Sequence, residues 1–228
     1  MPAVTWPRHR GKPMQTPLCA TAAQYNEAIQ NLANSVSDDE LRQGGAATNA
    51  LGLPLLFSGG FADVYKVHCA ATGNTWAVKC FTKATPGLRE RYREISTHLD
   101  RVKLPFMTDF QYVEPGIHAG GQWRPFLKMR WIEGFNLNQF VYDYLDKPKT
   151  VRLLLQHGNV LLVPAGQQGL SLKLIDYDGM FVPSLVGTRS GELGHPCYQH
   201  PQRLREGTYN LEVDRFSHLA IYCAIHGL

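Results

Sequence analysis

Phe57-Ser58-Gly59-Gly60-Phe61-Ala62-Asp63-Val64, followed by Ala77-Val78-Lys79, is the stretch on which the reading of the fold turns. Leu53 to Phe57, Ala62 to Cys69 and Thr75 to Phe81 are short runs rich in strand-forming residues. Ser58-Gly59-Gly60 joins the first two, and Ala71-Thr72-Gly73-Asn74 has hairpin-turn composition between the last two. A glycine turn between strands lets backbone N–H groups approach phosphate oxygens with no Cβ in the way. By itself such a turn is equally a plain hairpin. Lys79 adds the second element: it lies 15 residues after Val64, in the middle of an apolar strand, where an ammonium requires a partner or a ligand.

Downstream, Pro86 opens a helix whose apolar face carries Leu88, Tyr92, Ile95 and Leu99. Glu94 on that helix is a candidate partner that would aim Lys79 at phosphates; the alternative is a solvated carboxylate, like Glu90 one turn away. Met107 to Val113 and Trp123 to Trp131 read as two more strands. After Gly134 come a helix (Leu137 to Leu145), an apolar run (Leu153 to Leu155) and strands at Val160 to Val163 and Leu172 to Asp176. Residues 182 to 210 are loop-like, and an apolar helix begins near Leu211. Upstream, four prolines in the first 17 residues predict a flexible leader, within which Met14 is an alternative start to Met1. Residues 21 to 34 place Tyr25, Ile29 and Leu32 on one helical face, and Ser37 with Glu40 has capping-box spacing before a turn ended by Gly44 and Gly45.

Composition narrows the function. With 44% hydrophobic and 18% charged residues over 228 positions, a folded chain with a sizeable core is expected. Its 23 basic and 19 acidic residues leave +4, too little to argue for nucleic acid. No window reaches the roughly 18 apolar residues of a membrane span, and no apolar stretch follows Arg8, Arg10 and Lys12 as in a secretory leader. Five irregularly spaced cysteines predict reduced thiols and a cytoplasmic location. His195, Cys197 and His200 match no standard zinc spacing.

In this order and spacing the residues resemble the eukaryotic-type protein kinase family, in its bacterial serine/threonine form. Phe57 to Val64 resembles the glycine-rich loop, with Gly59 kept, Phe57 in place of the first glycine and Ala62 in place of the third. Ala77 and Lys79 match the strand lysine motif, and Glu94 matches the helix C glutamate. Met129-Arg130-Trp131-Ile132-Glu133-Gly134 resembles the linker between lobes, with Met129 as gatekeeper, the backbone of Arg130 and Ile132 at the adenine edge and Asn136 near the ribose. Asn159 and Asp176 stand where that family binds magnesium; Tyr177 replaces the following phenylalanine, and Asp178 stands where glycine is expected. Gly194 to Gln202 resembles the end of the activation segment, and Asp214 the helix F aspartate.

The resemblance implies an α+β, two-lobed fold: an extension (1–50), a β-rich smaller lobe (51–133) and a partial helical larger lobe (134–228). It implies ATP and Mg2+ as ligands. The ATP site would comprise Gly59, Gly60, Phe61, Val64, Ala77, Lys79, Glu94, Met129, Arg130 and Ile132, the metal site Asn159 and Asp176, and the partner a protein of unknown identity. Three departures count against turnover. Arg152-Leu153-Leu154 stands where His-Arg-Asp is expected, so the catalytic aspartate is replaced by Leu154. Lys147 to Arg152 are too few for helix E, and the sequence ends within the helix resembling F. Together the first two read as one internal deletion. An active kinase, a pseudokinase serving as an interaction module, a deleted relative and an antiparallel β domain with a helical tail all stay open.

Overall fold

The computed structural model describes residues 19–137, 139, 159–166, 169–190, 194, 196 and 199–226. The expected leader, the helix from Leu137 to Leu145, the Leu153–Leu155 run with Leu154, and His195 and Cys197 fall wholly or largely outside them. The described chain is α+β with antiparallel sheets. Its first part runs α1 (Ala22–Gln30), α2 (Leu32–Ser35), α3 (Asp39–Arg42), β1 (Gly45–Ala46), β2 (Leu56–Ser58), β3 (Ala62–Cys69), β4 (Asn74–Phe81), α4 (Leu88–Val102), β5 (Phe110–Ala119) and β6 (Gln122–Arg130). There follow β7 (Phe135–Asn136), β8 (Val160–Ala165), β9 (Gly169–Leu174), a 3₁₀ turn (Pro183–Leu185), α5 (Pro201–Glu206) and α6 (Arg215–His226). None of the described helices is long and apolar enough to cross a membrane.

The main sheet has the order β1-β3-β4-β6-β5, with β2 also paired to β3. Val64, Lys79 and Leu127 are lateral neighbours across three strands. Alternation along each strand then gives two faces. Ala62, Ala77, Leu127 and Met129 turn to one side, where Phe81 and Tyr92 of α4 join them. Tyr65, Val67, Val78, Cys80 and Phe126 turn to the other. That second face is covered by the amino-terminal helices, through Tyr25, Ile29, Leu32 and Leu41. β4 is buried from both sides, which is why its sequence is nearly all apolar around Lys79.

The single helix expected over residues 21 to 34 is instead two, α1 and α2, divided at Asn31. They belong to the core of the sheet: the Tyr25 hydroxyl donates to the Phe81 carbonyl at 2.8 Å, and that of Tyr65 to Asn26 Oδ1 at 2.9 Å. Each large side chain so buried contributes about 1.5–3 kcal/mol. The packing unit is therefore continuous across residue 50. The Ser37/Glu40 capping box does not form. Asp38 caps α3 by accepting the Leu41 N–H at 2.9 Å, and Ser37 donates to the Pro115 carbonyl. Glu40 is drawn instead to Lys128, a full positive charge that outcompetes a single backbone N–H.

β5 is longer than the run Met107 to Val113 because the ladder resumes after an irregularity between Val113 and Ile117, where Pro115 and Gly116 interrupt the strand pattern. Gly120 and Gly121, both at positive φ, then close a two-residue hairpin turn. A Cβ at Gly116 would lie 2.6 Å from Phe126 Cδ1 and 2.7 Å from the Val113 carbonyl. Gly116→Ala is therefore expected to destabilise the fold by about 1–3 kcal/mol, read as a lower urea midpoint; an unchanged midpoint would show that the bulge yields freely.

α4 lies between the main sheet and a second apolar cluster. Ile95 and Leu99 meet Tyr177, Val182, Leu185, Tyr209 and Val213 there. Two further expectations change in this region. Residues 182–210 are not loop throughout: Pro183 starts a 3₁₀ turn, and Pro201, a favoured first helical residue, starts α5. The last helix begins at Arg215, after a turn through Leu211 to Asp214.

Candidate functional site

A cleft of about 530 Å³ opens between the apolar face of the main sheet, the segment 129–134 and the ends of β8 and β9. Its roof is the turn between β2 and β3. Ser58 pairs with Asp63 across it, the Ser58 hydroxyl donates to Asp63 Oδ1 at 2.7 Å, and Gly59 N–H donates to the Ala62 carbonyl at 2.9 Å. A Cβ on Gly59 would come within 3.2 Å of that carbonyl, a tight contact that the glycine avoids. Of the twelve residues singled out from the sequence, eleven line the cleft: Gly59, Gly60, Phe61, Val64, Ala77, Lys79, Met129, Arg130, Ile132, Asn159 and Asp176. Asn136 lines it too.

Glu94 does not, and the expected Lys79–Glu94 pair is absent. Glu94 is a neighbour of Arg93 at 3.3 Å and is hydrogen-bonded by Ser184 and Arg93, which hold its carboxyl below the usual glutamate range. The reason is helical phase. Tyr92, Ile95 and Leu99 fill the inward stripe of α4, and Glu94 lies about 200° round from Tyr92 at roughly 100° per residue.

Lys79 finds its counter-charge after β9. Its Nζ donates to Asp176 Oδ1 at 2.9 Å and to Asp178 Oδ2 at 2.7 Å. Burial works against the ammonium, but the two carboxylates more than reverse this and raise its pKa above that of an ordinary lysine. The Tyr92 hydroxyl donates to Asp178 Oδ1, and the Asp178 N–H donates to Asp176 Oδ1 at 3.2 Å. Tyr177, between the two acids, turns away. Its hydroxyl accepts the Thr108 N–H at 2.6 Å and lies 2.8 Å from the Leu174 carbonyl, which fixes the end of β9 under the cleft.

Asn159 and Asp176 bring oxygen donors to one wall. Among the described residues no three His, Cys, Asp or Glu side chains gather as a metal cage. Were a divalent cation held there, Asn159 and Asp176 are the residues that would hold it, with the remaining positions left to ligand oxygens. The rim carries residues whose part the sequence did not disclose. Phe57 packs on Trp131 with ring centroids 5.3 Å apart, Lys66 sits 4.9 Å over the Trp131 ring, and Glu133 accepts from Trp131 Nε1 at 3.0 Å while pairing with Lys66. Phe57 stands out only as a replaced glycine, and its contact with Trp131 spans 74 positions that no local pattern links.

Compared with protein-family models and with curated proteins, the sequence matches none.

Proposed function

We propose that the chain is a protein-kinase-like domain that binds ATP with Mg2+ in this cleft and does not itself transfer phosphate. The observation that carries the reading is convergence: eleven residues chosen for their order along the sequence line a single cavity. A small antiparallel sheet with α4 inserted between β4 and β5 supports the two-lobed arrangement that the resemblance implies. Volume supports it as well, since about 530 Å³ falls within the 300–1,000 Å³ common for small-molecule sites. The apolar walls, Val64, Ala77 and Met129, suit a flat base. Lys79, Asn159 and Asp176 suit phosphates and their cation.

The test is stabilisation by ligand. Mg-ATP at a hundred times its dissociation constant is expected to stabilise the protein by about 2.7 kcal/mol. Lys79→Ala is expected to remove most of that gain. The variant will also melt lower without ligand, because Asp176 and Asp178 are left without their cation. The quantity to compare is therefore the shift on adding Mg-ATP. A wild-type protein indifferent to Mg-ATP would leave the second reading, a module that engages a protein partner without nucleotide.

A further inference from the structure

The two carboxylates that hold Lys79 are not equivalent. Both line the cleft, but the Asp176 side chain is the more open, 31% exposed, and it is there that the proposed cation would lie. That of Asp178 is 13% exposed, and both of its oxygens are engaged, one by Lys79 and the other by the Tyr92 hydroxyl. Tyr92 is itself immobilised. It is 1% exposed, stacked on Tyr112 at 5.9 Å and edge-on to Phe110 at 5.4 Å. A buried ammonium must keep its charge compensated. A cation bound to Asp176 would draw that carboxylate's charge away from Lys79, while Asp178, tied to the helix, would stay.

We infer that Asp178, anchored by Tyr92, is the positioning residue that holds Lys79 toward phosphate groups in the cleft, the part that the sequence assigns to Glu94. The inference rests on the Mg-ATP reading above. Its consequence is that α4 communicates with the cleft through a tyrosine hydroxyl and not through a carboxylate of its own. Moving the helix so that Tyr92 leaves Asp178 would loosen the lysine.

Calorimetric titration of Mg-ATP and, separately, of adenosine into the wild type, Asp178→Asn, Tyr92→Phe and Glu94→Gln tests this. Asp178→Asn is expected to weaken Mg-ATP about tenfold, the usual scale for a lost charge-assisted hydrogen bond. Adenosine should be unaffected, because Lys79 serves only phosphates. Tyr92→Phe should weaken Mg-ATP about threefold by freeing one end of Asp178. Glu94→Gln should match the wild type. In a Lys79→Ala background, Asp178→Asn should cost nothing further, since the two act as one unit. The inference is overturned if Asp178→Asn binds Mg-ATP as the wild type does, if it loses adenosine equally, or if Glu94→Gln shows the tenfold loss. Should Asp178→Asn fail to fold, Tyr92→Phe, which keeps the ring, decides: undiminished Mg-ATP affinity overturns the proposal. A wild type that binds neither ligand sinks the nucleotide reading and this inference with it. A wild type that binds both, with variants that bind equally well, sinks the inference alone.

Discussion

Saturated with Mg-ATP, the chain is expected to transfer no measurable phosphate to any protein acceptor. Leu154 stands where the resemblance places the proton-accepting aspartate, and a hydrocarbon cannot take a proton. General-base catalysis typically contributes about 10²- to 10⁴-fold. By the spacing of the resemblance, the six residues Lys147 to Arg152 are too few for the helix that in that family supports the loop matching Asn159. Displacing a metal ligand by about 1 Å costs roughly a further 10²-fold. The two losses multiply, so Leu154→Asp alone is expected to leave the chain inactive. Inserting a helix-length segment ending in His-Gly-Asp before Leu155 should do better. Transfer of labelled γ-phosphate is the measurement. Robust transfer by the unmodified chain, abolished by Asp176→Ala, would falsify this expectation.

The second large effect lies on the far face of the sheet. Lys128 is 7% exposed, and its Nζ donates to both oxygens of Asp38 at 2.9 Å and to Glu40 Oε2 at 3.0 Å, under the Trp76 ring at 4.4 Å. Glu40 also accepts from the Thr72 hydroxyl at 2.6 Å and from Asn74 Nδ2 at 2.7 Å, which ties α3 to the β3–β4 turn. Asp38 and Glu40 keep 14% and 22% of their side chains exposed, so water offsets part of the loss and removing the lysine costs about 1–3 kcal/mol. Lys128→Ala should therefore lower the melting temperature by roughly 5 °C, at about 2–4 °C per kcal/mol for this size. Equal melting of variant and wild type would show that the cluster is no more than a solvated surface pair.

Acid gives the same cluster a pH signature. Burial raises the Glu40 pKa, but the hydrogen bonds from Thr72, Asn74 and Lys128 outweigh it and hold the carboxyl down to about 2. A carboxyl depressed in the folded state binds its proton more readily when unfolded, so its stabilisation is complete above its unfolded pKa. That contribution is lost as pH falls from the ordinary value of 4.5 toward about 2. Lys128→Ala should reduce the dependence of stability on pH across that window without abolishing it, because the hydrogen bonds from Thr72 and Asn74 remain.

Legibility in the sequence followed locality. The bounds of β3 and β4 agree with the pattern of β-branched and apolar residues to within one position, because each strand carries its own signal. α4 was readable from Tyr92, Ile95 and Leu99 at helical spacing. That Lys79 needs a counter-charge was also readable. Which acid supplies it was not, because the answer depends on the rotation of α4 and on a contact 99 residues away. Motif spacing pointed to Glu94, and the phase of the helix favours Asp178. Likewise Tyr25, Ile29 and Leu32 announce a helix with an apolar face, but nothing in those residues says which surface receives it. α5 was hidden by the polar composition around it, although Pro201 is a start signal.

A sheet gripped from both sides bends little, since close-packed side chains resist shear on either surface. With α4 on one side and α1 to α3 on the other, the sheet acts mechanically as a plate. Trp131–Gly134, which carries no regular structure, leads from that plate to β7, while α4 holds the plate to the second apolar cluster as well. Gly134 is the tightest point of that segment, since a Cβ there would stand 2.8 Å from the Leu162 carbonyl. The walls that the sheet lends to the cleft are thus held at a fixed spacing by packing on both of its faces.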